Sequence, residues 1–288
     1  MNGSIDLERR LGAAQSMTAI PAATVAARLE WALAQTSRAV AEAVAAHNPR
    51  LQAGVHVSRA GIAIFAGAGS PFTQGMAMGV RGPVQADELD AIEAHLASAS
   101  DGLSQIEVCA FADASLHQLL AERAYRTKEW QLVWTRRATD ALLPRVQPEL
   151  DVRRVLPGQE ELYCRVLLAG ALEAEDLPRA ATDLILPMAF ARGHEFYLAW
   201  VGNEPVGGAT LAVADGIAFL NGSAVRRAFR RRGVHEALIR ARLDRARELG
   251  LSLSVSSTMP GTAACRNMAR HGFAVAYPKI VMVTGIPR

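Results

Sequence analysis

Apolar and polar positions alternate along this chain in two periods, one helical and one extended. Leu29, Leu33, Val40 and Val44 recur at helical spacing in an alanine-rich run and predict a long helix from about Ala22 to Ala46. Short apolar runs bounded by Gly, Ser and Pro predict strands at Gly61–Gly67 and Gln74–Val80. A helix over Gln85–Ala97, a strand over Gln105–Phe111, a helix from the cap at Asp113 and Ser115 to Ala124, and a strand over Trp130–Thr135 complete the first half.

Residues 136–150 carry two prolines, several charges and no clean period, so they read as a linker. The elements then begin again. A strand at Asp151–Val155 precedes helices near Glu160–Ala169 and Ala181–Ala191. Strands follow at Phe196–Gly202, Gly207–Ala214 and Ile217–Val225, with a hairpin signal at Asp215-Gly216. A long helix, Gly233 to Leu249, is closed by Gly250. The strand Leu251–Ser257, the helix Thr262–His271 and strands at Phe273–Ala276 and Lys279–Thr284 end the chain.

The two halves end alike. The segment from Ser115 lies over the segment from Ala263 at a constant offset of 148 residues, without gaps. Arg123-Ala124-Tyr125 falls on His271-Gly272-Phe273, and the same helix-then-strand order precedes both blocks. The matching order predicts a tandem pseudo-repeat.

Composition narrows the class. The chain has 288 residues, half of them hydrophobic and a fifth charged, which is enough to bury a core without metal or disulfide staples. Cys109, Cys164 and Cys265 are far apart and form no CxxC pair, so reduced thiols in a cytoplasmic protein are expected. No 18-residue apolar run predicts a membrane span, and residues 1–20 read as a lead-in without a secretory pattern. The seven histidines show no paired ligand spacing, and Gly67-Ala68-Gly69 lacks the Lys-Ser/Thr of a P-loop. No metal is therefore expected.

The net charge is only +3, yet Arg226, Arg227, Arg230, Arg231 and Arg232 crowd one loop, followed by Arg240, Arg242, Arg245 and Arg247. So local a cluster suits a small polyanion better than a nucleic acid. A strand leads into this loop, and the loop leads into a helix that starts at Gly233. The first turn of a helix offers unpaired N–H groups and the positive end of the dipole to a phosphate. Glycine there lets a pyrophosphate approach the backbone.

This segment, Arg230-Arg231-Arg232-Gly233-Val234-His235 followed by Leu238 and Ile239, resembles the Arg-x-x-Gly-x-Gly/Ala signature of the GNAT acetyltransferase superfamily. His235 departs from the signature's last position. The stretch from Thr258 to Phe273 resembles the superfamily's second block, in which a helix ends in Gly-Phe. The resemblance covers about 140 residues and implies an α/β fold of two tandem GNAT-like domains, each a mixed, mostly antiparallel sheet flanked by helices. The expected boundaries are 21–138 for a degenerate domain without a cofactor site, 139–149 for a linker and 150–288 for the catalytic domain. At the repeat offset Gln85 stands where Gly233 stands, with a single arginine before it.

The resemblance further implies acetyl-CoA as co-substrate, gripped by Arg230, Arg231, Arg232, Gly233, Val234 and His235. Its pantetheine would lie along Ser223, Ala224 and Val225, and Asn267 would contact its arm. The implied reaction is acetyl transfer to an amine, expected to be that of a small molecule. A non-catalytic acyl-CoA sensor and a nucleic-acid-binding module are the rival readings. Neither a nucleic acid nor a membrane is the expected partner, and the expected assembly is a monomer or a homodimer.

The chemistry needs an oxyanion donor, a base and an acid. A backbone N–H near Ala224 or Val225 is the donor candidate. The acidic run with Glu173, Glu175 and Asp176 supplies base candidates, Glu173 foremost, and Ser223, beside Ala224 and Val225, is a further catalytic candidate. The superfamily's usual tyrosine position is Met268 here, which leaves Tyr277 as the substitute acid.

Overall fold

A computed structural model describes residues 22–97, 104–140 and 150–284 of the chain. The lead-in and most of the expected linker lie outside those residues. Helix α1 spans Ala22–His47, its alanines keeping the entropic cost of helix formation low. The first half continues with β1 (Gly54–Val57), β2 (Ile62–Phe65), β3 (Gln74–Met76), α2 (Ala86–Ala97), β4 (Gln105–Cys109), α3 (Ala114–Glu122) and β5 (Arg126–Arg137). The expected cap of α3 is present: the Asp113 side chain accepts from the Ser115 amide.

The second half contains β6 (Leu150–Arg154), α4 (Glu160–Leu172), α5 (Arg179–Ile185), β7 (His194–Val201), β8 (Glu204–Ala214) and β9 (Ile217–Val225). After these come α6 (Val234–Glu248), β10 (Leu253–Thr258), α7 (Ala263–Arg270) and β11 (Ala274–Val283). Several local expectations change: the strand expected to reach Val80 ends at Met76, and the one expected over Trp130–Thr135 runs from Arg126 to Arg137. Gly54–Val57 is an additional strand, and the helix expected to reach Ala191 ends at Ile185 and continues as a 3-10 turn through Phe190. The two last strands are one, with an irregularity between Val275 and Tyr277.

The strands form one eleven-stranded sheet in the order β1-β2-β3-β4-β11-β5-β10-β9-β8-β7-β6. The two expected sheets are therefore joined, and their last strands are exchanged. β5 of the first half pairs with β10 of the second, while β11 of the second half pairs with β4 of the first. β5 and β11 pair with each other at the centre. Their register obeys the repeat: Trp134 faces Val275, and at the 148-residue offset Thr127 faces Met282. The centre is thus pseudo-twofold.

Helices cover both faces. α2 and α3 pack with Ile280 and Met282, and α6 and α7 pack with Leu132 and Trp134; pairing puts these residues on one face of the sheet. α1 covers the other face at the centre, against Val133, Phe219 and Tyr277. It reaches across both halves, because its far end meets Met188 and Ala191 of the second.

Candidate functional site

The site begins with a gap in the sheet. β9 and β10 pair in parallel only at Ile217, Ala218 and Phe219, against Leu253, Ser254 and Val255. Beyond that point the strands part, and β9 runs on from Leu220 to Val225 without a partner on that edge. The Ser256 hydroxyl closes the apex by donating to the Leu220 carbonyl at 3.0 Å. In the first half the equivalent strands behave differently. Gly75 pairs with Ile106 there, while the positions 148 residues later, Ser223 and Ser254, are unpaired to each other.

A bulge shapes the free edge. Asn221 faces Thr210 and Ser223 faces Ala209, which leaves Gly222 as the extra residue, at φ 43°. Leu220 and Val225 both join the core beneath α6. Five residues apart, they could not share one face of a regular strand. The Arg226 amide donates to Val206 at 3.0 Å, toward β8. By backbone alternation the N–H groups of Val225 and Ser223 therefore point the other way, into the gap. The Ala224 N–H points to β8, which corrects one of the two expected donors.

Close approaches hold β9 from both faces. Gly170 of α4 lies so near that a Cβ there would sit 2.8 Å from the Val225 nitrogen. Gly207 of β8 similarly admits Val234 of α6, at 3.0 Å from a Cβ. The end of β9 is thereby clamped between α4 and the start of α6.

The loop between β9 and α6 carries the arginines. Gly233 is the N-cap residue of α6 at φ 76°, a left-handed conformation that suits glycine. The first bond of the helix runs from the Ala237 amide to the Gly233 carbonyl, so the amides of Val234, His235 and Glu236 have no carbonyl partner within the helix. Arg231 and Arg232 are exposed at this end, and Arg232 stacks on Phe229 at 5.3 Å.

Arg230 is placed otherwise than expected. Its guanidinium donates to Glu173 at 2.7 Å, to the Gly170 carbonyl at 2.9 Å and to the Val225 carbonyl at 3.2 Å. It ties α4 to the loop instead of pointing at an anion. Arg226 does the same with Glu175 and Glu204. Two of the three acids in the run are thus spent on arginines. Glu173 is held below the usual carboxylate range by its hydrogen bond to Arg230, which makes it a weak base.

His235 and Asn267 meet across α6 and α7, with Asn267 Nδ2 2.8 Å from His235 Nδ1. Burial, with Arg242 and His271 nearby, pushes the imidazole down to about 4, so the ring is neutral and Nδ1 accepts. Met268 is buried in the core between these helices. Ser223 is exposed on the free edge.

Tyr277 requires a correction. It lies in the core beneath α1 and donates to Glu30 at 2.8 Å. Burial raises its pKa far above the usual phenol value, and β11 is separated from β9 by two strands. It is a core residue and not an acid at the gap.

Comparison with known proteins fits this arrangement. Residues 163–273, from α4 to the Gly-Phe that ends α7, match the acetyltransferase (GNAT) family. They form a GNAT-family domain. A GCN5-related N-acetyltransferase from Kribbella flavida resembles the whole fold, with a TM-score of 0.64 and 18% identity over 91% of this chain and 96% of its own. A tandem GNAT protein from the clavulanic acid biosynthesis pathway, solved without AcCoA, gives 0.51 at 14% identity over 69% and 70%. A GCN5-related N-acetyltransferase from Sphaerobacter thermophilus gives 0.50 at 18% identity over 65% and 62%. At such identities the likeness speaks for the fold. No curated protein sequence matches the chain significantly.

Within the GNAT domain, the gap and the bulge lie on β9, and the loop that follows this strand leads to the first turn of α6. Sequence patterns pointed to the loop but missed Gly170, Ser256 and Arg242. Arg242 follows the basic loop in sequence among the arginines of α6, and the structure buries it under the bulge. Its signal was spacing: it falls on the apolar stripe Val234, Leu238, Ile239, Leu243 and Ala246 of α6. Among the described residues no group of His, Cys, Asp and Glu could hold a metal, and no helix is long and apolar enough to cross a membrane.

Proposed function

We propose that the chain transfers an acetyl group from acetyl-CoA to the amine of a small molecule. The observation that supports this reading is the unpartnered edge of β9, which runs from the apex at Leu220 to Val225 and is joined by the arginine loop to the anion-suited first turn of α6. A pantetheine amide chain fits such an edge as an added strand. The amides of Val234 to Glu236, with Arg231 and Arg232, fit a pyrophosphate.

When bound, acetyl-CoA supplies the activated acetyl group. The residues of this chain supply orientation and charge. The N–H groups of Ser223 and Val225 face the gap and would donate to the oxygen that gains charge as the amine attacks. The exposed Ser223 hydroxyl stands beside them. Glu173 keeps Arg230 in place, so its part in the reaction is to hold the loop. The first half, whose equivalent strands are closed at Gly75, contributes no second cofactor site in this reading; through β5 it completes the sheet beside β10. The protein acts in the cytoplasm in this reading, without a nucleic acid or a membrane as partner.

Calorimetric titration with acetyl-CoA tests the reading, on wild type and on Gly233→Asp. Wild type should bind and Gly233→Asp should not; equal binding by both would overturn the grip. The mutual bond of His235 and Asn267 favours a second reading, a non-catalytic acyl-CoA sensor. Release of free CoA thiol with a panel of amines separates the two: binding without release supports the sensor.

A further inference from the structure

Arg242 is the largest fully buried side chain among the described residues. Its hydrogen bonds go to three carbonyls: Nε to Leu238 at 2.9 Å, Nη1 to Thr210 at 3.0 Å and Nη1 to Asn221 at 3.1 Å. Burial pushes its pKa down to about 10, so the guanidinium remains charged at neutral pH. Burying a cation against carbonyls alone is costly. A leucine or methionine would fill the same place on the apolar stripe of α6 more cheaply. The arrangement calls for a compensating role.

That role is visible in the two strand carbonyls. Thr210 and Asn221 are the last regular pair before the bulge, and Ala209 with Ser223 is the first after it. One nitrogen of the guanidinium therefore bridges both strands at the point where the register changes. The competing arrangement is a regular ladder without the extra residue. A one-residue slip sends each side chain to the opposite face, and it likewise exchanges the edges to which the N–H groups point. Ser223 and Val225 would then aim their N–H groups at β8, away from the gap.

We propose that Arg242 is a positioning residue for acyl transfer, which holds the Gly222 bulge so that Ser223 and Val225 present their N–H groups to the gap. The inference rests on the reading of that gap as the acyl-donor site. It adds a residue one layer behind the site, with a charge-assisted grip on backbone instead of substrate.

The test uses the full-length chain with Arg242→Met and Arg242→Lys. Steady-state thiol release with the amine that wild type turns over gives kcat and the KM for acetyl-CoA, and hydrogen exchange reports on the amides of residues 220–226. Arg242→Met should lower kcat on the order of 100-fold, the scale of losing one preorganised oxyanion donor. KM should rise by a smaller factor than kcat falls, because pantetheine pairing on β9 weakens while the loop at Gly233 is untouched. Exchange at 220–226 should quicken. Arg242→Lys keeps the charge but cannot span both carbonyls in the same fork, and should fall between. A kcat within about twofold of wild type in a folded Arg242→Met would overturn the proposal, whatever the change in KM. If Arg242→Met does not fold, Arg242→Lys carries the same measurement. If wild type binds no acetyl-CoA, the functional reading fails, while the exchange comparison still decides whether Arg242 holds the bulge.

Discussion

Asn267 on α7 donates its side-chain amide to Nδ1 of His235 on α6, and the bond exists only while that imidazole is neutral. The ring sits with Arg242 and His271 nearby, and its pKa is depressed to about 4. His271 is depressed as well, by burial first, and neither of its ring nitrogens has a partner.

The pH dependence follows with a definite sign. A histidine whose folded pKa lies below its unfolded value binds more protons when unfolded. Stability from His235 is present above about pH 6.5, the unfolded value, and is lost as pH falls from there toward about 4. We expect the melting temperature of wild type to fall over that window. His235→Gln should flatten the fall, although carboxylates continue to titrate at the acid end. Differential scanning calorimetry from pH 7 to 4.5 on both proteins checks this; parallel profiles would rule it out.

Gly170 offers a steric test of the clamp on β9. An alanine methyl would stand 2.8 Å and 2.9 Å from the nitrogen and carbonyl carbon of Val225, which are backbone atoms that cannot rotate away. α4 must then move off β9, and Arg230 loses the geometry that joins Gly170 to Val225. Overpacking of this kind costs about 1–3 kcal/mol. Urea unfolding of Gly170→Ala should show that loss, and acetyl-CoA binding should weaken with it.

The buried charges at the centre give a third test. Lys279 lies 2.6 Å from Glu107 and 3.7 Å from Glu30, and all three are nearly inaccessible. Burial raises the pKa of Glu30, and Lys279 only partly opposes this. Glu107→Gln leaves Lys279 without its close partner and should destabilise by about 3–5 kcal/mol. Glu30→Gln should cost far less, since a raised folded pKa means its stabilising contribution is lost as pH rises. Tyr277→Phe, which removes only the hydrogen bond to Glu30, should cost about 1 kcal/mol and leave kcat within about twofold. A large fall in kcat would restore Tyr277 to the reaction.

Much of this architecture was legible because it is local. Periodicity and caps located α1, α3, α6 and β9 to within a residue or two, and the 148-residue offset survives in the pairing of β5 with β11. What stayed hidden depends on partners distant in sequence. Exchange of the last strands leaves every local pattern unchanged. The role of Gly170 depends on Val225, 55 positions away in the chain. The basic cluster misled because charge shows no direction: Arg226 and Arg230 turn back onto acids and carbonyls, and Arg242 turns into the core. Tyr277 suggested itself only by closeness in sequence to the Gly-Phe, and the strand carries it to the opposite face of the sheet.

The exchanged strands make a prediction about the halves themselves. Residues 150–284 without the first half would leave β10 with no neighbour on one edge, because β5 occupies the place between β10 and β11. β11 would likewise lose partners on both sides, including the nine paired positions it shares with β5. Unpaired edges of that length recruit other strands and aggregate. We therefore expect the isolated second half to be insoluble or to form strand-exchanged oligomers on size exclusion. The two halves expressed together from separate genes should copurify as one complex, since β5 and β11 restore each other's pairing. A soluble, monomeric second half that binds acetyl-CoA like the whole chain would show that the exchange is dispensable. Failure to copurify would show that the order of elements along the chain, and not the central pairing alone, is needed to assemble the sheet.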